Sequence, residues 1–298
     1  MDGLKASSAG DSGPRTAALA LASLPPLRDV IAAYGLNARK ALGQNFLLDL
    51  NVTRRIVRAA GPLEGVHVVE VGPGPGGLTR AILETGCASV TAIERDPRCH
   101  AALADLVTTA RGRLRLVEGD ALEIDPPVET DAPRAIVANL PYNVATPLLI
   151  AWLKQIDAYR SLTLMFQKEV ADRLIAGPGS KAYGRLSVIA QWCADVRPCL
   201  TLPPRAFTPP PKVESTVVHF TPLADRVRLP FGAMEAVTAA AFGQRRKMLR
   251  TSLKRLGNAE ALLLQAKLDP SLRAEAVDLA GFTRLAAAYR PEGTAPDS

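Results

Sequence analysis

Val68-Val69-Glu70-Val71-Gly72-Pro73-Gly74-Pro75-Gly76-Gly77 decides the fold. An apolar run ends in a glycine-rich turn. The amphipathic stretch beyond it leads to a second apolar run, Val90 to Ile93, closed by Glu94. Strand, turn, helix and strand make a βαβ unit from Val66 to Asp96. Glycines at such a turn let the backbone bend sharply and approach a ligand at the carboxyl edge of the sheet.

Outward from that unit, apolar runs at Leu114 to Val117, Ala135 to Ala138 and Leu162 to Phe166 alternate with helical stretches. The alternation predicts an α/β fold with a doubly wound parallel sheet. Two later β-like runs, Val196 to Leu202 and Ser215 to Phe220, are joined by a Pro-rich loop rather than a helix, which predicts an antiparallel hairpin closing the sheet's edge. Beyond Ala224 the apolar residues take helical spacing without strand patterns. The expected organisation is an α/β domain over 26–224 and a small all-helical domain over 225–290. Residues 1–25, rich in Ala, Ser, Gly and Pro, read as a flexible extension, and 291–298 as a flexible tail. No internal repeat is found.

The 298 residues, 48% of them hydrophobic, suffice for one large core and a smaller one. No apolar run approaches the roughly 18 residues of a membrane span, and Met1 to Gly10 has no basic segment feeding an apolar core, so the expectation is a cytoplasmic protein without a membrane partner. Cys87, Cys99, Cys193 and Cys199, with His67, His100 and His219, show no zinc-ligand spacing. Free thiols and no metal are expected. A formal charge of +7 and a pI near 9.4 suit a polyanionic partner without establishing one.

The glycine string also fits G-x-G-x-x-G, with Glu94 suitably placed to accept from a ribose, so a dinucleotide-dependent dehydrogenase stays open at this point. Pro73 and Pro75 remove backbone donors that a pyrophosphate would use, which favours S-adenosylmethionine. Asp120, after the third run, can accept from an adenine amino group or cap the turn that follows.

Ala138-Asn139-Leu140-Pro141-Tyr142-Asn143 closes the fourth run, where open α/β sheets place ligands. An adenine amine is a poor nucleophile because its lone pair is delocalised into the ring. Two acceptors holding its hydrogens favour a pyramidal nitrogen aimed at an electrophile. The Asn139 side-chain oxygen and the Leu140 main-chain oxygen, fixed by the φ of Pro141, are those candidates, with Tyr142 stacking on the base. Catalysis would then be positioning for in-line displacement, with no metal. The bland alternative is a plain strand-end turn. Phe207, in Ala206 to Lys212, is a candidate for the base's other face; alternatively it plugs the core beneath its Pro-rich loop.

Asn45-Phe46-Leu47, Glu70 to Gly77, Glu94, Asp120, Asn139 to Tyr142, Phe207 to Pro211 and Phe242-Gly243-Gln244-Arg245-Arg246-Lys247, in this order, resemble one family. It is the ribosomal RNA adenine dimethyltransferases, and within it the bacterial small-subunit enzymes associated with kasugamycin sensitivity, matched from about Leu27 to about residue 288. The resemblance implies a Rossmann-like class I methyltransferase sheet, a helical C-terminal domain and S-adenosylmethionine as cofactor. It further implies dimethylation of two adjacent adenines in the 3′-terminal hairpin of small-subunit RNA, with a pre-30S particle as partner and a monomeric enzyme. By motif match, Asn45, Leu47, Gly72, Glu94, Asp120 and Asn139 form the cofactor shell, and Asn139, Leu140, Pro141, Tyr142 and Phe207 the catalytic set. Alternatives are a large-subunit adenine dimethyltransferase and an RNA-binding assembly factor without catalysis.

The stretch Phe242 to Leu256 contains no acidic residue, and Leu249, Leu253 and Leu256 have helical spacing for a buried stripe. Arg245, Arg246, Lys247, Arg250 and Lys254 are the candidate phosphate contacts, against a solvated basic face or a membrane-surface helix.

Overall fold

The computed structural model describes residues 20–36, 43–124 and 133–289. The expected tail at 291–298 and most of the expected extension at 1–25 lie outside them. The chain divides into two compact units, residues 1–141 with 205–211, and residues 142–204 with 212–298. The strands are β1 (Phe46–Leu47), β2 (His67–Val71), β3 (Ser89–Glu94), β4 (Leu114–Glu118), β5 (Arg134–Ala138), β6 (Ser161–Gln167), β7 (Ala194–Leu202), β8 (Phe207–Thr208) and β9 (Ser215–Pro222).

In the first unit, β2 pairs in parallel with β3 on one side and β5 on the other, and β3 pairs in parallel with β4, giving the order β4-β3-β2-β5. β-Branched residues fill the centre: Val68, Val90, Ile93, Ile136 and Val137 are all fully or nearly fully buried. Each such side chain contributes about 1.5–3 kcal/mol of burial. Helix Gly77–Leu83 is buried along its whole length. Helix Leu50–Ala59 is capped by Asp49, and helix Pro97–Ala102 by Asp96 with Pro97 in its first turn. From β2 the chain runs outward to β3 and β4, then returns to the opposite side of β2 for β5. The order therefore reverses between β2 and β5, a topological switch point whose carboxyl edge is the ligand crevice of open α/β sheets. The glycine turn and Asn139 leave from those two strand ends.

Packing in this unit starts earlier than expected. Leu21 is buried, and the Arg80 guanidinium donates to Pro25 O at 2.8 Å, so packing includes residues before the anticipated boundary at residue 25. Leu21 and Leu27 are both buried, a signal that the small-residue composition around Leu21 obscured.

In the second unit, β9 lies between β6 and β7 and is antiparallel to both. The anticipated antiparallel pair is present as β7 and β9, with a bulge between Pro198 and Leu200 where the proline removes a ladder donor. The unit carries helices Tyr142–Lys154, Lys168–Ile175, Arg185–Cys193, Phe231–Gly243, Leu249–Ser252, Ala259–Gln265 and Leu279–Ala288. Phe242 anchors the later helices, stacked on Phe282 at 5.3 Å and edge-on to Tyr183 at 5.8 Å. The basic stretch from Phe242 to Leu256 is not one helix. It is a helix end, a turn, a short α-helix and a 3-10 turn, and only Leu249 and Leu253 of the expected stripe are buried. Lys247 N–H closes the turn on Gln244 O at 2.8 Å.

Candidate active site

Gly72, Gly74 and Gly76 after β2 all have positive φ, and the loop is crowded from outside: a Cβ at Gly77 would stand 2.6 Å from Leu47 O. This close approach, not only the turn, requires glycine there. The crowding comes from β1, whose Phe46 ring would lie 3.0 Å from a Cβ at Gly74. β1 is held by antiparallel pairing with β8, which sets Leu47 opposite Phe207. Phe207 is buried, in this unit, against the ribbon that carries Leu47.

Glu94, at the end of β3, is almost fully buried. It accepts from Gly74 N–H at 3.2 Å and from Asp96 N–H at 2.8 Å. Burial outweighs those bonds and raises its pKa. Glu70, at the end of β2, is wholly buried and its Oε2 has no partner among the described residues. Burial, opposed by the nearby Thr79 hydroxyl and helped a little by repulsion from Glu94, pushes its carboxyl up to about 8. Asp96 is the opposite case: hydrogen bonds from Arg98 and then Gln44 hold it down at about 2 against burial. The Gln44 bond, 3.1 Å long, ties the segment before β1 to the end of β3. Asp120 realises its capping alternative, accepting from Leu122 N–H at 3.0 Å, and it also pairs with Arg95 at 3.0 Å.

Asn139 donates from Nδ2 to Asn45 O at 3.1 Å. That bond uses one of the two amide N–H donors and orients the group, leaving the Oδ1 lone pairs as the acceptor side. A Cβ at Gly72 would lie 3.8 Å from Pro141 Cδ, an ordinary van der Waals contact, so the glycine turn and the Asn139 segment meet. Leu140 is buried. In the second unit, Tyr142 opens its helix and its hydroxyl bonds Ser215 Oγ at 2.6 Å; burial raises its pKa.

The structure thus gathers Asn45, Leu47, Gly72, Glu94 and Asn139 around one strand-end crevice. Glu70 and Gln44 were not assigned roles from sequence. In the sequence Glu70 stands only as part of the glycine motif, and Gln44 only as the neighbour of Asn45 in the string before β1. The donor set also tests the cofactor. Glu70, Glu94 and Asp120 are acidic, Glu70 offers an orphaned carboxyl oxygen, and the prolines withdraw backbone donors. Such a set fits an ammonium- and sulfonium-bearing nucleoside and opposes a pyrophosphate.

Of the basic candidates, Arg246, Lys247, Arg250 and Lys254 are exposed. Arg245 is committed to Glu275 at 3.0 Å. Lys168 and Arg185 are paired with Asp172 and Glu235. Cys87, Cys99 and Cys193 are buried free thiols, and Cys199 is exposed. Among the described residues no helix is long and apolar enough to cross a membrane.

A Rossmann-like sheet with this acidic crevice defines an S-adenosylmethionine-dependent methyltransferase of class I. The model of the ribosomal RNA adenine dimethylase family matches residues 35–289, and the chain belongs to that family. A relative from Rhodospirillum rubrum, ribosomal RNA small subunit methyltransferase A, is 58% identical over 272 residues, covering 91% of this chain and 94% of that protein. The protein of the same name from Jannaschia sp. is 58% identical over 273 residues, covering 90% and 94%. Among solved structures, 23S rRNA methyltransferase ErmE aligns with a TM-score of 0.64 at 25% identity, covering 82% of this chain and 99% of that one. A dimethyladenosine transferase from Plasmodium falciparum aligns with a TM-score of 0.69 at 24% identity, covering 80% and 94%, and supports the fold.

Proposed function

We propose that this enzyme dimethylates the N6 amino groups of two adjacent adenines in the 3′-terminal hairpin of small-subunit ribosomal RNA. It acts as a cytoplasmic monomer on a pre-30S particle. The target follows from the 58% identity to small-subunit methyltransferases over nearly their full length. The chemistry rests on one observation above all, the bond from Asn139 Nδ2 to Asn45 O, which turns the Asn139 oxygen into an oriented acceptor.

Bound S-adenosylmethionine supplies an electrophilic sulfonium methyl carbon. Asn45, Leu47, Gly72, Glu94, Asp120 and Asn139 would hold the cofactor, with Glu94 for the ribose hydroxyls and Asp120 for the cofactor's adenine. In the first transfer the Asn139 Oδ1 and Leu140 main-chain oxygens accept the two hydrogens of the target amine, and in the second one of them accepts the single hydrogen that remains. This discourages delocalisation and directs the nitrogen lone pair. Pro141 fixes the turn and Tyr142 stacks on the target base, while Phe207, buried, takes its core alternative beneath the loop and supports the ribbon that carries Leu47. A base can enter only after leaving its stack, which costs less in a hairpin loop than in a duplex. Residues 26–224 carry the chemistry. Residues 225–290 carry RNA contacts through Arg246, Lys247, Arg250 and Lys254, with Arg245 in the same run.

Labelled-methyl transfer to 30S and 50S particles that lack adenine methylation tests this reading. Transfer to 30S alone supports it. Transfer to 50S alone moves the assignment to the large subunit.

A further inference from the structure

Arg245 stands in the acid-free basic stretch, yet its half-exposed side chain is taken up by neighbours in this unit. Its Nε donates to Glu275 Oε2 at 3.0 Å and an Nη donates to Ser180 O at 3.3 Å. Glu275 in turn accepts with its main-chain oxygen from Gly179 N–H at 2.7 Å. One residue therefore ties the basic turn with its carboxylate and the loop Gly177 to Gly184 with its backbone. The turn is fixed a second time where Leu249 N–H meets Leu272 O at 2.7 Å, next to the Met248–Arg273 bridge. The loop is fixed a second time by buried Tyr183, whose hydroxyl donates to Val277 O at 2.9 Å and whose ring packs edge-on against Phe242. Three segments distant in sequence are thus locked together, all within the second unit.

The lock leaves particular side chains outside. Lys181 follows Ser180, and Arg246 and Lys247 follow Arg245; all three are exposed. Gly177 to Gly184 contains no acidic residue, as Phe242 to Leu256 contains none. Glu275, whose charge would repel a phosphate, is neutralised by Arg245. The two braced segments therefore present positive charge from two loops at fixed spacing, which a polyanion backbone reads better than charges on independent loops.

We infer that Arg245 is a positioning residue rather than a phosphate contact: its brace through Glu275 holds the Gly177–Gly184 loop, with Lys181, beside the basic turn as one RNA-binding surface. The inference rests on the RNA-binding reading above and adds a second contact segment to it.

The full-length protein is titrated with adenine-unmethylated 30S particles at several salt concentrations. Arg246→Ala and Lys181→Ala each lower the slope of log affinity against log salt by roughly 0.7–0.9, one released counterion contact apiece. Glu275→Gln removes an acidic charge, so bulk electrostatics alone gives tighter binding. The brace gives weaker binding, by roughly two- to fivefold, the scale of a partly exposed ion pair. It also leaves the salt slope unchanged and accelerates hydrogen exchange at the Gly179 amide. Arg245→Lys keeps the charge but loses the two-ended bond, and matches Glu275→Gln.

Wild-type affinity in Glu275→Gln and Arg245→Lys, tighter binding in the former, or an unaltered salt slope in Lys181→Ala overturns the inference while the RNA-binding reading stands. An unaltered slope in Arg246→Ala overturns the RNA-binding reading of this face, and the inference with it.

Discussion

The Asn139 side-chain amide donates to the main-chain oxygen of Asn45 at 3.1 Å, across 94 residues of sequence. The bond joins the end of β5 to the segment before β1 and decides which end of the amide faces the crevice. Asn139→Ala removes both the bond and the acceptor. The expected result is a loss of at least about a hundredfold in kcat, typical of deleting one hydrogen-bonding group that acts in the transition state. Single-turnover methyl transfer measures it, and turnover within tenfold of wild type would count against the acceptor role.

Tyr142 separates stacking from hydrogen bonding. Tyr142→Phe keeps the ring and loses only the bond to Ser215, so transfer stays within a few fold and stability falls by about 0.5–1.5 kcal/mol. Tyr142→Ala also loses stacking on the base, worth about 1–3 kcal/mol, and kcat/KM falls by roughly five- to a hundred-and-fiftyfold. Equal kinetics for the two variants would remove Tyr142 from the stacking role.

Glu70 gives stability a pH dependence whose sign follows from its burial. Its carboxyl is raised from 4.5 to about 8, so between those values the folded protein keeps a proton that the unfolded chain releases. This group's contribution is therefore most favourable at or below the unfolded value and is lost progressively as the pH rises to about 8. Glu70→Gln carries no such proton. Thermal unfolding should show the variant gaining on wild type from about pH 5 to about pH 8, and parallel curves over that range would contradict the assignment.

Gly77→Ala places a Cβ 2.6 Å from Leu47 O and 3.0 Å from a Leu27 methyl. Backbone cannot yield as a flexible side chain does. The expected cost is about 1–3 kcal/mol, together with weaker S-adenosylmethionine binding because Leu47 shifts. Calorimetric titration checks the second effect, which sets it apart from plain destabilisation.

What the sequence revealed and what it hid divide along distance in the chain. The glycine turn, Glu94 and the Asn139 segment were legible because each is a local string at a strand end, and the alternation of runs placed those ends at one edge. Asp120's cap was legible as an alternative for the same reason, its partner being Leu122. The pairing of Arg245 with Glu275, 30 residues on, left no local mark, and a run of basic residues read as uniformly outward-facing. The helical spacing of Leu249, Leu253 and Leu256 likewise suggested a continuous stripe. It hid the turn at Gln244 to Met248, after which the Leu249 and Arg250 N–H groups bond Leu272 and Pro270 O instead of continuing the preceding helix. Glu70's isolation depends on what surrounds β2 on both sides, which no single strand encodes.

The central claim is dimethylation of adenine in small-subunit RNA. Its most direct test is mass spectrometry of nucleosides and RNase fragments from adenine-unmethylated 30S particles incubated with the protein and S-adenosylmethionine. Dimethyladenosine at two adjacent positions of the 3′-terminal hairpin is the predicted result. Unmodified hairpin adenines, with cofactor binding intact in the same preparation, would contradict the account.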